Sequence, residues 1–321
     1  MNYRAVTDTD IKVSEIGFKI ETLLRKDLGR IDKTAILNLL ATAFEYGITL
    51  YDTGEPRYRE YAEELIKESF SYHRHQTIIS TNMSVDLYTQ NILADVYSRK
   101  ISLHDYLINT CEESLKSMET DYIDILNISH FAIKNDIESD EVFEALNALQ
   151  KDGKIRFWGI SLDSIIEFED TMKVLLKYKK SQILQIPSNP IQTSTISAGN
   201  HLIGENPDIA IFANQSGCFP ILSETKDIKD LFLESNYHSM DIEHTDTAFD
   251  QFSERIELIN NICKENNISI EELEINHALY NDYVAALLPD IRSKEDLMTY
   301  IIDKPLIGDF EDIFKDIYDF V

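Results

Sequence analysis

The sequence predicts a parallel α/β fold of repeating strand–helix units, and two observations carry that expectation. Short apolar runs alternate with amphipathic stretches of helical period, the pattern of βα units. A length of 321 residues, 43% of them hydrophobic, is normal for eight such units closed into a barrel with added loops. Residues 2–5 and 11–15 read as a small hairpin that closes one end of the barrel. Next comes a helix with Ile36, Leu39, Leu40, Ala43 and Phe44 on one face, leading into residues 48–51 as the first barrel strand. Residues 77–80, 122–128, 155–160, 183–186, 209–213 and 284–288 supply further strands. Leu107, Cys111, Leu115 and Met118 form one helical stripe between them, and Val142, Leu146 and Leu149 form another. Phe310, Ile313, Phe314 and Ile317 mark a last helix packed on the outside. Two long connections, 82–104 and 214–246, leave C-terminal strand ends, the face where such barrels carry their sites. No linker or low-complexity block divides the chain, so one domain over 1–321 is expected.

Charge narrows the partners. Thirty basic residues stand against 57 acidic ones, a formal net charge of −27. Such a surface repels nucleic acid and anionic membrane, and it weakens the long-range steering of anionic cofactors. No apolar stretch approaches the roughly 20 residues of a membrane-spanning helix. Cys111, Cys218 and Cys263 lack metal-ligand spacing, and the N-terminus carries Asp8 and Asp10 where a signal peptide needs its apolar run. Isolated thiols in that setting point to a reducing cytoplasm. The histidines show no metal spacing, and there is no nucleophile elbow, Walker loop or paired-cysteine motif. His73, Arg74 and His75 read as a solvated turn on the face opposite the expected site, whereas His104, His238 and His244 belong to the long connections.

Three segments carry a family resemblance. The first is Tyr3-Arg4 with Lys12-Val13-Ser14-Glu15-Ile16-Gly17-Phe18. The second is Cys111-Glu112-Glu113-Ser114-Leu115 with Thr120-Asp121-Tyr122-Ile123-Asp124-Ile125-Leu126, and the third runs from Asp152-Gly153-Lys154 to Trp158-Gly159-Ile160-Ser161. In order and spacing they resemble the aldo-keto reductases, closely to about residue 160 and more loosely to about residue 300. The resemblance implies a (β/α)8 TIM barrel, an NAD(P)H cofactor and a catalytic tetrad of Asp, Tyr, Lys and His. In that chemistry a Tyr protonates the carbonyl oxygen as the cofactor delivers hydride. A phenol near pKa 10 needs a buried cation beside it to act at neutral pH.

Only one tetrad position is kept. Asp52 stands in the family's Asp-Thr-Gly wording, and Glu63-Glu64-Leu65-Ile66 fixes the register that follows. Within that register Arg57 occupies the Tyr position, with Tyr58 and Tyr61 nearby as displaced phenols. Asn82 replaces the Lys of Ala-Thr-Lys and, being neutral, does not lower a phenol's pKa. Ser129 replaces the catalytic His; the adjacent His130 survives, but neighbouring side chains on a strand point to opposite faces.

The expected cofactor contacts are altered too. Lys19-Ile20 stands where the family presents Gly and a small polar residue to the nicotinamide, and Leu162 replaces an Asn. Ser161 and Gln185, which resemble the pair binding the nicotinamide amide, are kept. Asp290 replaces a Gly near the pyrophosphate, Arg292 is suited to pairing with a phosphate, and Asp296, Thr299 and Tyr300 replace adenine-holding residues. Asn214-Gln215-Ser216-Gly217 departs from the family's Ser-Pro-Leu. NADP or NAD is therefore expected to bind weakly or not at all.

Three readings stay open. One is a catalytically silent relative that binds a protein partner or a small anionic ligand at the barrel mouth, a role the potassium-channel β subunits show the fold to permit. Another is a redox enzyme with its proton donor rebuilt from Tyr58, Tyr61 or His130. The last is a non-redox enzyme using Asp52 with Lys19 and Arg57. Lys19 has three candidate fates: an ion pair with Asp52, an anion site shared with Arg57, or exposure to solvent.

Overall fold

The computed structural model describes residues 1–6, 9–26, 29–84, 102–129, 140–162, 183–188, 190, 209–214, 245–281 and 283–301. The expected outer helix near residues 310–317, Cys218, His130, His238 and His244 lie outside the described residues.

Strands β1 (Tyr3–Ala5) and β2 (Lys12–Ser14) pair antiparallel as the expected hairpin. Eight parallel strands then follow in chain order around a ring: β3 (Phe18–Lys19), β4 (Leu50–Asp52), β5 (Ile78–Ser84), β6 (Ile123–Ser129), β7 (Ile155–Ser161), β8 (Ile183–Pro187), β9 (Ala210–Asn214) and β10 (Val284–Leu288). A bridge from Ile16 to Leu287 brings the two edges together, with Gly17 N donating to Leu287 O at 2.8 Å and Leu287 N to Glu15 O at 2.8 Å. The result is a (β/α)8 TIM barrel.

Two sequence expectations need correcting. Residues 48–51 fall on the second barrel strand, because the first is only Phe18–Lys19. A two-residue strand ending in a lysine offers no apolar run to detect. The connection expected from residue 82 also starts later, since β5 continues to Ser84, and α4 (Leu103–Met118) begins where Ser102 caps Asp105 N.

The helices form where the apolar stripes place them. α1 (Glu21–Leu24) is a single turn after β3. α2 (Lys33–Glu45) is capped by Asp32 and buries Ile36, Leu39, Leu40 and Ala43. α3 (Arg59–Phe70) buries Ala62, Leu65, Ile66 and Phe70. Leu107, Cys111, Leu115 and Met118 are the buried face of α4, as Val142, Leu146 and Leu149 are of α5 (Asp140–Lys151). α6 (Thr245–Asn266) leads to α7 (Ile270–Leu279), which opens with a Ser269–Glu272 capping box, and α8 (Lys294–Ile301) follows β10.

Alternation along the strands separates two interiors. Ile79, Leu126, Ile128 and Ile160 pack outward in the layer shared with the helices. Leu50, Ile125, Ile183, Phe212 and Leu288 face the barrel axis, where Val6, Ile11 and Val13 of the hairpin plug the lower end. Gly17 is needed there, since a Cβ would lie 2.6 Å from Leu288 Cδ2. Arg4 anchors the plug: it bonds Glu15 at 2.7 Å and donates to the carbonyls of Leu279, Asn281 and Val284 at 2.7, 3.1 and 2.9 Å.

Arg74 departs from the solvated-turn expectation. It pairs at 2.7 Å with the buried Asp124, which also holds Arg156 at 2.9 Å, and it lies 4.1 Å over the Tyr122 ring. His73 packs on Phe44 with centroids 5.0 Å apart. A buried carboxylate between two guanidinium groups is the compensation that burial of charge requires.

Candidate active site

Two positions above the apolar tier, the same strands change chemistry. Gly17 is followed by Lys19, Leu50 by Asp52, Ile125 by Asn127, Ile183 by Gln185 and Phe212 by Asn214, so period-two geometry aims all five polar side chains at the axis. Strand register makes them neighbours: Lys19 lies opposite Asp52, Asn82 opposite Asn127, and Ser129 between Ser84 and Ser161.

A belt of hydrogen bonds crosses this tier. Asp52, fully buried, accepts from Ser80 Oγ at 2.5 Å, from Gly54 N at 2.8 Å, and from Asn82 Nδ2 at 3.1 and 3.2 Å. Asn127 Nδ2 donates to Ser80 Oγ at 3.0 Å and to Gln185 Oε1 at 3.1 Å. Burial raises the Asp52 carboxyl above its usual range, against the lowering pull of those hydrogen bonds and of the more distant Lys19.

Lys19 takes none of its three expected fates. Its side chain is 3% exposed, its ammonium pairs with Asp290 at 2.8 Å, and it bonds Asn214 Oδ1 at 3.1 Å. Burial alone would lower its pKa, but Asp290, Glu21 and Asp52 outweigh burial and raise it. It is thus an ammonium, neither a solvated lysine nor a direct partner of Asp52. Glu21, whose own pKa burial raises, accepts from Glu55 N and closes over Gly54, where a Cβ would collide with it.

Arg57 belongs elsewhere. It lies in the 3-10 turn Pro56–Tyr58 with its side chain 59% exposed, pairs with Glu55 at 2.6 Å and stacks over Tyr58 at 4.8 Å. The anion site expected from Arg57 and Lys19 together is therefore not assembled: each has its own acidic partner. Tyr61 is 42% exposed on α3, whereas Tyr58 is half-buried in a turn that packs against β5. Ser129 is buried in the tier with its hydroxyl 3.4 Å from Met83 O, and Ser161 is the register partner of Gln185. Leu162 packs into the outer apolar layer.

The segment after β10 is bound to its own chain. Arg292 donates to the carbonyls of Thr22 and, at 2.8 Å, of Gly29. The Asp296 carboxylate accepts from the backbone amides of Arg292 and Ser293, both at 2.9 Å, and so caps α8 from within. Thr22 Oγ1 donates to Asp290 at 3.0 Å, while Tyr300 donates to the buried Glu274 at 2.8 Å.

Sequence reading missed Ser80, Asn127 and Glu21 as members of this site, and marked Asn214 only as a departure from the family's wording. For Ser80 and Asn127 the signal was available. They sit two positions before Asn82 and Ser129 on continuous strands, hence on the same face.

A closed ring of eight parallel strands with its polar residues gathered at their C-terminal ends defines the scaffold of the TIM-barrel enzymes. The sequence profile of the aldo/keto reductase family matches residues 22–301. The chain belongs to that family. It is 28% identical over 177 residues to the aldo-keto reductase YhdN of Bacillus subtilis (strain 168), covering 54% of this chain and 51% of that one. It is 30% identical over 156 residues to the L-glyceraldehyde 3-phosphate reductase of Escherichia coli (strain K12), covering 47% and 43%. The chain thus spans about half the length of the curated relatives it matches. Among solved structures, the holo form of aldo-keto reductase AKR11C1 from Bacillus halodurans superposes with a TM-score of 0.72 at 17% identity, over 100% of this chain and 96% of that one, a likeness of fold. Among the described residues no helix is long and apolar enough to cross a membrane, and no three acidic, His or Cys residues group as metal ligands.

Proposed function

We propose that this family member has lost NAD(P)H-dependent carbonyl reduction and serves as a binding or partner protein. The observation that carries the proposal is the surroundings of Asp52. Its direct partners are Ser80, Gly54 and Asn82, all neutral, and the residue at the Tyr position, Arg57, is turned to the surface beside Glu55. A proton donor, its pKa-lowering cation and the orienting imidazole are replaced together by Arg57, Asn82 and Ser129.

Family members work with NAD(P)H, and the residues present here fit a dinucleotide poorly. Lys19, expected beside the nicotinamide, is tied to Asp290, expected near the pyrophosphate. Arg292 is committed to two backbone carbonyls, and Asp296 covers the amides that a phosphate would otherwise meet. Gln185 presents its oxygen to Asn127. A small anion at the mouth would have to displace Asp290 from Lys19, which favours a protein partner or a ligand without negative charge. The isolated buried thiols Cys111 and Cys263 accord with a reducing cytoplasmic setting.

Oxidation of NADPH and NADH with a panel of aldehydes and ketones tests the proposal. The expected outcome is a faint rate at most, since general acid catalysis alone typically contributes about 10²–10⁴-fold. Robust turnover would overturn it, and loss of that turnover in Tyr58→Phe would identify the rebuilt donor, for which the turn packed on β5 is the supporting observation. Titration with each dinucleotide is expected to show weak or no binding; a low-micromolar dissociation constant would contradict the misfit.

A further inference from the structure

The buried Lys19 ammonium needs a counter-charge, and three carboxylates act on it: Asp290, Glu21 and Asp52. Two of them are engaged by other donors. Asp52 accepts from Ser80, Gly54 and Asn82, and Glu21 accepts from Glu55 N. Asp290 makes the contact. One oxygen, Oδ1, receives both the Lys19 ammonium at 2.8 Å and the Thr22 hydroxyl at 3.0 Å. Lys19 and Thr22 are buried, whereas the Asp290 side chain is 14% exposed, so the group that fills their grip borders solvent.

The backbone that carries Asp290 is pinned on both sides. Pro289 and Ile291 are buried. Arg292 donates to the carbonyls of Thr22 and Gly29, and the Asp296 carboxylate holds the amides of Arg292 and Ser293. Asp290 is thus a fixed anion, set against Lys19 and Thr22 by the segment around it. A carboxylate tethered this way has already lost the translational freedom that a free anion must still give up on binding.

We infer that Lys19 Nζ and Thr22 Oγ1 form an anion seat that the chain fills with its own Asp290 carboxylate, which makes Asp290 the residue that bars anionic ligands from this seat. The inference rests on reading the mouth as unfit for a dinucleotide, and it names the group responsible. Deleting that one carboxyl group should turn the seat from anion-excluding to anion-binding. The space it vacates is the size of a carboxylate and is reached from solvent where Asp290 is exposed. Lys19 would remain there as a buried ammonium in need of an anion.

Chemical rescue tests this directly. Asp290→Ala removes a carboxyl group that formate can replace, and thermal unfolding of the full chain is followed as sodium formate is exchanged for sodium chloride at constant ionic strength. A ligand that binds the folded state raises the midpoint by mass action, and a probe this small is limited to about millimolar affinity. Formate should therefore raise the midpoint of Asp290→Ala saturably, by a few degrees at about 100 mM. The unaltered protein and Asp290→Asn, whose side chains still fill the seat, should not respond. Adding Thr22→Val to Asp290→Ala should weaken formate about tenfold, the loss of one hydrogen bond to a charged group. Should Asp290→Ala not fold in chloride, recovery of the folded state in formate reads the same seat. Should it fold in neither, the Lys19 ammonium NMR signal of the unaltered protein decides: it should stay in place as formate is added, and a saturable shift would show that Asp290 does not hold the seat. No response in folded Asp290→Ala, or an equal response in all three proteins, would overturn the inference. Nicotinamide oxidation assays report separately on lost reduction. Aldehyde turnover with formate rescue intact sinks that reading alone, and an inert protein whose Asp290→Ala variant ignores formate sinks this inference alone.

Discussion

At the hairpin end of the barrel, Leu50, Ile125, Ile183 and Phe212 pack against Val6, Ile11 and Val13. Two residues further along the same strands, Asp52, Asn127, Gln185 and Asn214 point at one another across a polar tier. The lower end gains stability from every buried methylene, and its buried carboxylate, Asp124, is held directly between two guanidinium groups. The upper end holds buried carboxylates whose ionised forms are costly, restrained by neutral hydrogen bonds and one lysine. Stability is therefore concentrated below, and chemical individuality above.

The strongest way to break that division is Phe212→Ala. Removing a fully buried ring from the lower tier should cost about 3–5 kcal/mol in urea unfolding. The hydrogen-bond belt around Asp52 should survive it, and a disturbed belt by NMR would show the two ends to be coupled. Lys19→Met comes next. It leaves Asp290 without its ammonium, a loss of roughly 3 kcal/mol at neutral pH, at the low end for a broken buried pair because Asp290 is 14% exposed. Unchanged stability would mean that the pair is energetically idle.

The smallest effect sharpens the comparison through pH. Burial raises the Glu274 carboxyl well above its usual 4.5. The folded state then keeps a proton that the unfolded chain has released, so stability falls as pH rises above 4.5. Glu274→Gln keeps an acceptor for Tyr300 and deletes this slope. It should raise the melting midpoint by a few degrees at pH 8 and leave it unchanged near pH 4. His277, on the same helix, works in the opposite sense. Burial first, then Arg255, holds its pKa down to about 3, so its share of stability is lost as pH falls below 6.5. His277→Asn should flatten that acid limb in thermal scans, and a retained limb would shift the cause elsewhere.

The sequence made seven of the eight barrel strands legible, because each is an apolar run bounded by turns or helical pattern. Phe18–Lys19 escaped: it is held by its neighbours, not by its own composition. The place of Asn82 and Ser129 at the C-terminal strand ends, in the tier of Asp52, was equally legible, since register along a family motif places single residues. Partners were not. Lys19 finds Asp290 and Asn214 across the ring closure, and nothing local in a sequence announces a contact between residues that only closure brings together. Arg74 misled for the same reason, as its partner Asp124 lies on β6, 50 residues further along the chain.

The Arg4 clamp has a consequence for biosynthesis. Its carbonyl partners begin at Leu279, 275 residues downstream. At about 5–20 residues per second, a ribosome takes roughly 15–55 s to deliver them after the hairpin has emerged. Through that interval Val6, Ile11 and Val13 lack the seat they occupy in the finished barrel. The floor of the barrel, although encoded first, is sealed only once its closing strand has arrived, and the nascent hairpin is the segment that a chaperone would have to shield until then.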